Sequence, residues 1–533
     1  MNKLLPTIFL AALSVPTFSQ AGTVTESATQ TFELWYTEGL YLNNLTNGSA
    51  NPAHVRNIPV GSYNSIELSY DMQDGAFKPI DGAMHKKAAD ADIYGTKKLE
   101  RTFFEGSLKY SNHSLNDMRW NATVLTSEQN PFLLADTLRY DSLTNDAERE
   151  QFILKGSVAY KLGERVTIGL GADYNVASKA DQSDPRIIAN AARTTVIPGI
   201  DFRMGDRFSA GLSGKVETYH ENIGSTIEDN MISEHNVLFI YKALGVYESM
   251  DAIGYKRRYD GMKSGASIQS SYKGKRFGNF TQISFETNRE DAEDGDTEYQ
   301  YKGGDFKQIS VGLSSRFMFV GDRLVHNVTI NAGMDNGSGT WYTQKQVMDE
   351  WNMKNYKVLS KDVIHKEKDL KAGLTYRMDV IEDSKSVITA IAGATYSRND
   401  TYQYPDENQA HYSMLNTGLS LTGRLNKGWI KYEATAFGGM DKAIGKLDLT
   451  VVTPKVQQKR FYNRYFLPKY SYLASDSFNV GFGASVCYPI DVNGKETALK
   501  LSVRASYRNC QSDYSGLDGT GRTDASFAVG YTF

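Results

Sequence analysis

Apolar and polar residues alternate over long stretches of this chain. Val166, Ile168, Leu170, Ala172 and Tyr174 are separated by Thr167, Gly169, Gly171 and Asp173. The same alternation runs through residues 208–217, 478–488 and 499–508. A period of two sends successive side chains to opposite faces of a β-strand, so one face meets an apolar phase and the other a polar one. The runs approach the roughly 9–11 residues with which a tilted strand crosses a bilayer. They show no helical periodicity. Beyond the first 20 residues no apolar run nears the roughly 18 that a spanning helix needs.

Punctuation between the strands is asymmetric. Short turns are predicted at Glu100-Arg101, Gly163-Glu164-Arg165, Gly205-Asp206-Arg207, Gly274-Lys275-Arg276, Gly321-Asp322-Arg323, Glu382-Asp383-Ser384, Asn426-Lys427-Gly428 and Val492-Asn493-Gly494. Longer polar stretches at 177–191, 220–262, 335–366 and 441–475 are read as loops. Most turns follow an aromatic residue: Tyr160, Phe202, Tyr272, Phe319, Tyr376 or Tyr488. Short turns at one end, long loops at the other and an aromatic girdle describe a membrane barrel with periplasmic turns and extracellular loops. The predicted fold is therefore all-β, a transmembrane antiparallel up-and-down β-barrel. Eight turns on the side of the two termini imply 18 strands, and seven, without the weak Glu100-Arg101, imply 16, hence about 16–18.

The ends of the chain agree. A basic start, the apolar stretch from Leu4 to Phe18 and the small residues Ser19 and Ala21 read as a signal peptide over 1–21, cleaved after Ala21. Gly22 offers no cysteine for a lipid anchor. Residues 22–61 are expected to form a plug or a periplasmic segment, and residues 62–533 the barrel. In the last strand Phe527, Val529, Tyr531 and Phe533 alternate with small or polar residues. Such an ending is expected to act as an assembly signal read by barrel-assembly machinery, with outer-membrane lipid as the surrounding partner. The expected location is the bacterial outer membrane.

Composition removes several alternatives. Lys and Arg number 59 against 62 Asp and Glu, for a net charge of −3, so nothing suggests nucleic acid. Two Cys in 533 residues exclude a disulfide scaffold and a Cys-based zinc site. The hairpin register expected around residues 490–495 keeps Cys487 and Cys510 about 40 Å apart at ~3.3 Å per residue, so both should be free. In that register Cys487 faces about residue 498 and the lumen, and Cys510 lies near the outer rim, more open to reagents. Hydrolase elbows, P-loops and zinc-protease motifs are missing. Asp291, Glu293, Asp294, Asp296 and Glu298 have a spacing unlike an EF-hand and read as a solvated acidic loop rather than a calcium site. No catalytic residue, cofactor or metal is assigned, and the chain is not read as an enzyme.

Parity assigns the lumen. If the aromatic-rich positions face lipid, the opposite ones, facing inward, include Lys155, Lys215, Arg316, Lys371, Arg377, Lys500, Arg504 and Arg508. Lys109, Lys161, Arg203 and Lys431 join them, against Glu67, Glu105, Asp173, Asp201, Glu217 and Glu433. This sample of the wall is net positive, which would favour anions in an open pore. The competing reading is that these charges pair across strands and fill a blocked interior.

Several segments carry a resemblance. Trp120-Asn121 after a strand, Ala135-Asp136-Thr137 in the next loop, Asp184-Pro185-Arg186 at another strand's start and the Phe533 ending resemble a Bacteroidota outer-membrane β-barrel family known as a domain of unknown function. That resemblance implies an outer-membrane barrel and no particular substrate. Asn51-Pro52-Ala53 also resembles the segment before the first strand of fatty-acid-transporter-like barrels, which implies 14 strands. The leading functional reading is a channel or transporter for a small polar or anionic solute. The alternative is a non-transporting scaffold, adhesin or accessory partner of another outer-membrane or periplasmic protein.

Overall fold

A computed structural model describes residues 44–533 except 60, 126–131, 136–144, 229–236, 252–253, 296–300, 349, 351–353, 383–384, 405–407, 453–454, 493–494, 513–516 and 518. The expected signal peptide, residues 22–43 and Asp136-Thr137 lie outside the described residues.

Eighteen antiparallel strands close a barrel. The wall opens with β1 (Ser62–Asp74), β2 (His85–Lys98) and β3 (Thr102–Met118); a short β4 (Phe132–Ala135) stands apart from it. The wall continues with β5 (Asn145–Lys161), β6 (Val166–Asp181), β7 (Arg186–Met204) and β8 (Phe208–Thr226). Next come β9 (Val237–Ala243) and β10 (Val246–Asp251), which pair with β4 in a separate three-stranded sheet. The wall resumes as β11 (Lys256–Lys273), β12 (Phe277–Asp294), β13 (Tyr301–Val320) and β14 (Leu324–Met348). It goes on through β15 (Lys354–Glu382), β16 (Lys385–Gln403), β17 (Gln409–Lys427) and β18 (Ile430–Ala443). A short β19 (Asp448–Thr450) pairs only with β17. Finally β20 (Ser477–Val492), β21 (Lys495–Cys510) and β22 (Gly521–Thr532) bring the chain back to β1.

The eight short turns fall where the alternation breaks. Gly205 (φ +80°) and Gly428 (φ +62°) take left-handed backbone there, which glycine reaches without a Cβ clash. Eighteen strands agree with the upper end of the turn count and depart from the 14 implied by the fatty-acid-transporter resemblance. The seam between β1 and β22 runs from Ser65 opposite Thr532 to Asp74 opposite Thr523. Beyond it, Phe533 N–H donates to Asn64 O (3.0 Å) and Asn64 N–H donates to Phe533 O (3.1 Å). The Phe533 ring stacks on Tyr531 with centroids 5.7 Å apart. Phe533→Ala keeps both backbone bonds and removes the ring. It should lower the yield of heat-modifiable, membrane-inserted protein a few-fold on semi-native gels; unchanged assembly would take the ring out of the signal.

Ile168, Leu170, Leu212, Ile283, Leu419, Phe482, Leu501 and Phe527 are exposed on the outside, as are the girdle residues Tyr160, Phe202, Phe319, Tyr376 and Tyr488. A continuous exposed apolar band of this kind is costly in water and suits a bilayer.

Two expected loops prove to be mostly strand. In 177–191 only four residues, 182–185, separate β6 from β7. In 335–366, β14 runs for 25 residues and β15 for 29, far beyond the roughly 10 that cross a bilayer. The cause is solvent. Past the membrane the outer face no longer meets lipid, so the hairpin keeps its ladder while losing the apolar alternation by which it was sought.

Cys487 and Cys510 are not joined by a disulfide, as expected. The register differs slightly: Cys487 lies opposite Lys500 and Cys510 opposite Ser477. Cys510 is also buried, not open at the rim. Its Sγ lies 3.6 Å from Ser512 O. The acidic loop is corrected too. Asp291, Glu293 and Asp294 belong to β12, and Asp294 is fully buried against Arg257 (2.9 Å). Asp296 and Glu298 lie outside the described residues, and among those described no group of acids, His and Cys could hold a metal ion.

Candidate functional site

The interior is occupied at two levels. The lower one, at the short-turn end, is a belt formed by residues 44–59. Asn51 starts it. Its side-chain oxygen accepts from Ala53 N (3.0 Å), Pro52 follows, and a 3-10 turn runs over Pro52–Asn57. Proline suits that first helical position, where its missing N–H is not needed. The Asn51 amide then reaches the wall, donating to Ile200 O (2.8 Å) and Gln269 Oε1 (3.2 Å). One side chain thus caps the turn and fastens it across β7 and β11.

The wall is shaped for this contact. A Cβ on Gly169 would lie 2.2 Å from Ala53 N, and one on Gly199 would lie 2.1 Å from Asn51 Oδ1. Both glycines are on the face opposite the exposed apolar residues. Charge completes the attachment. Asp201 is fully buried, and a buried carboxylate must be paired. His54 Nε2 lies 3.1 Å from its Oδ1, and Arg56 donates to its Oδ2 and to Thr167. Further along, Arg316 donates to the carbonyls of Leu45 (3.0 Å) and Asn47 (2.9 Å). Leu45 packs with Phe280, Met318 and Val325; Val55 and Ile58 pack with Phe103 and Ala159. Among the described residues the belt therefore follows the inner wall from β14 back to β3 and does not reach β16–β18, β20–β22 or β1.

The upper level is an apolar core built from loops. The segment after β3, the β9–β10 hairpin and a helical segment before β20 contribute to it. That segment comprises α1 (Val456–Phe461), a π-helical turn (Tyr462–Phe466) and α2 (Leu467–Leu473). Trp120 is buried with its ring 5.1 Å from Tyr465, 5.5 Å from Phe461 and 5.7 Å from Phe239. Small inward residues of the wall, Ala177, Ala189 and Ala191, complete the packing. Polar wall groups pin the first loop: Glu221 accepts from Val124 N (2.5 Å), and Lys179 donates to Asn121 O (2.6 Å).

Two cavities lie against the uncovered wall. One, of about 220 Å³, is lined by Glu67, Glu433, Phe437, Lys500, Arg504 and neighbouring small or hydroxyl residues. The other, of about 300 Å³, lies beside α2 and is lined by Tyr241, His365, Glu367, Asp369, Lys371, Tyr412, Lys469 and Tyr470 among others.

The residues proposed to line the lumen thus have different surroundings. Lys500 and Arg504 line the first cavity and Lys371 the second. Arg316 holds the belt. Arg377 pairs with Asp379 (2.6 Å), Arg508 with Asp441 (2.6 Å), and Lys215 with Glu286 (2.7 Å). Lys155 is exposed, opposite Asp173 in register. The sample of wall charges omitted several acids. Asp90 and Asp92 pair with Lys109, and Asp379, Asp441 and Glu286 take the partners just given. Arg424 was also missed; it bridges Glu433 (2.8 Å) and Thr389 (2.8 Å) across β16–β18. The belt glycines had a signal, since Gly169 and Gly171 stood at inward positions of one strand.

Residues 52–533 match a family of unknown function, DUF6850. A search of functionally curated proteins found no match. Among solved structures the chain is similar to the ferric preacinetobactin receptor BauA from Acinetobacter baumannii, at 7% identity and TM-score 0.43, covering 89% of this chain and 80% of that one. It is similar also to the ferric-catecholate import receptor Fiu from E. coli K12, at 9% identity and TM-score 0.39, covering 88% and 81%. The ferric yersiniabactin uptake receptor FyuA from Yersinia pestis matches at 11% identity and TM-score 0.39, covering 89% and 80%.

Proposed function

We propose that the chain, which belongs to the DUF6850 family of unknown function, is an outer-membrane barrel that passes a small polar or anionic solute along a partly filled lumen. The observation that carries this reading is the arrangement of the two fillings. Among the described residues the belt covers the wall from β3 to β14, and the loop core caps the other end. Between and beside them the uncovered wall is polar and holds two cavities. A barrel of this size can hold water or a plug. A purely structural barrel has no need of a belt bound to one side by a buried carboxylate and shaped glycines. The outer-membrane location rests on the exposed apolar band and aromatic girdle.

Purified full-length protein in planar bilayers should show small, discrete conductance steps, smaller than those of an unobstructed barrel of equal strand number. No conductance in any solute or salt would remove the transport reading. A scaffold or accessory role would then follow, for which the β14–β15 hairpin standing beyond the membrane offers a surface.

A further inference from the structure

We propose that Arg504 is the anion-binding residue of the lumen, taking the carboxylate or phosphate group of a small solute in the cavity of about 220 Å³. The proposal rests on the transport reading above and names the class of solute.

The argument begins with what the other cations do. Most inward basic residues already serve an acid or the belt. Arg508 is held by Asp441 (2.6 Å) and Arg377 by Asp379 (2.6 Å). Lys500 flanks Gly530 opposite Glu67: a Cβ there would lie 3.5 Å from Glu67 Oε2 and 3.7 Å from Lys500 Cβ. Arg504 is different. It makes no ion pair or hydrogen bond with any described residue, and its Nε is buried without a partner. Of the acids near it, Glu433 is paired with another cation, and Asp524 attracts Arg504 without forming an ion pair with it. Glu433 accepts from Arg424 (2.8 Å), and Asp524 accepts from Ser506 (3.3 Å).

The site is nevertheless built around this guanidinium. Arg504 lies over the Phe437 ring, 4.0 Å from its centroid. Stacking on an aromatic face holds a guanidinium flat and leaves its in-plane N–H groups directed outward. The facing strand makes room for both partners. A Cβ on Gly481 would overlap the Phe437 ring (2.2 Å), and one on Gly483 would touch Arg504 Cγ (3.8 Å). Thr435, Ser485 and Ser502 supply hydroxyl groups around the same cavity. A stacked arginine with a free donor edge, beside hydroxyls, matches the planar bidentate geometry of a carboxylate or phosphate. The volume limits the ligand: it is below the roughly 300 Å³ at which drug-sized pockets begin, so a small anion fits. The cavity lies on the wall that the described part of the belt does not reach.

Equilibrium dialysis of radiolabelled inorganic phosphate and of radiolabelled succinate against full-length protein in detergent tests the site. Saturable binding of at least one anion is expected, weakened at least tenfold by Arg504→Gln and less by Arg504→Lys. Phe437→Leu, which removes the stacking face, should weaken it by an intermediate factor. Arg276→Gln, at an exposed turn, should leave it unchanged. Heat-modifiable mobility of each variant verifies folding. No saturable binding of either anion, or binding that Arg504→Gln leaves intact, overturns the proposal. The assay needs no open path through a bilayer. Binding lost in Arg504→Gln therefore supports the site even if conductance is absent, in which case only the transport reading fails.

Discussion

Leu501→Arg should cost about 2–4 kcal/mol of the membrane-inserted fold, and its neighbour Ser502→Arg much less. Leu501 is exposed on the outside near the middle of β21, between Val486 and Val529 in register. A guanidinium there meets hydrocarbon, which neither hydrates nor pairs it. Ser502 points the other way, lies between Ser485 and Ala528, and lines the cavity around Arg504. An arginine there reaches water and polar groups. Urea-dependent unfolding from phosphatidylcholine vesicles, followed by tryptophan fluorescence, measures both. Equal losses would show that β21 does not have one face in lipid.

Gly169→Val should lift the belt from the wall and raise conductance several-fold. The new Cβ would lie 2.2 Å from Ala53 N and 2.7 Å from Ala53 Cα, where only backbone could yield. The strand itself tolerates valine, which favours extended backbone. The belt must therefore move, with loss of the Asn51 bonds to the wall and of the Asp201 ion pairs. Gly156→Val is the matched control, because nothing lies within 4 Å of a Cβ there. Position 53 gives a second readout. Ala53 is fully buried, so Ala53→Cys should resist maleimide in the otherwise unchanged protein and react when Gly169→Val is added. Unchanged conductance together with faster labelling would show that the belt moves without obstructing the lumen. If neither changes, the belt is not seated on Gly169.

The barrel was legible in the chain because its cause is local and repeats. Each strand has one face toward an apolar phase, so Ile168, Leu170, Leu501 and Val503 had to alternate with small or polar residues. Seven of the eight tight turns carry Gly, Asn or Asp, so they and a count of about 16–18 strands followed from composition at a few positions, while the Glu100-Arg101 turn carried a weaker signal. Local signals faded where the surrounding phase no longer differed between faces. Beyond the membrane the outer face of β14 and β15 no longer meets lipid, and their polar sequence resembled loops while the ladder continued. The interior was less legible still. Whether Arg377 or Arg508 is a pore charge or half of an ion pair depends on Asp379, within its own strand, and Asp441, on another. Residues 44–59 carry no periodicity that places them inside the barrel. Their seat is decided by glycines more than 100 positions away, which provide space only when three strands lie side by side. Strand identity and facing were therefore determined by the sequence alone, because they follow from each residue's contact with solvent or lipid. The filling of the lumen and the isolation of Arg504 were decided by tertiary structure, because pairing, steric fit and an unpaired donor are properties of residues brought together from distant strands.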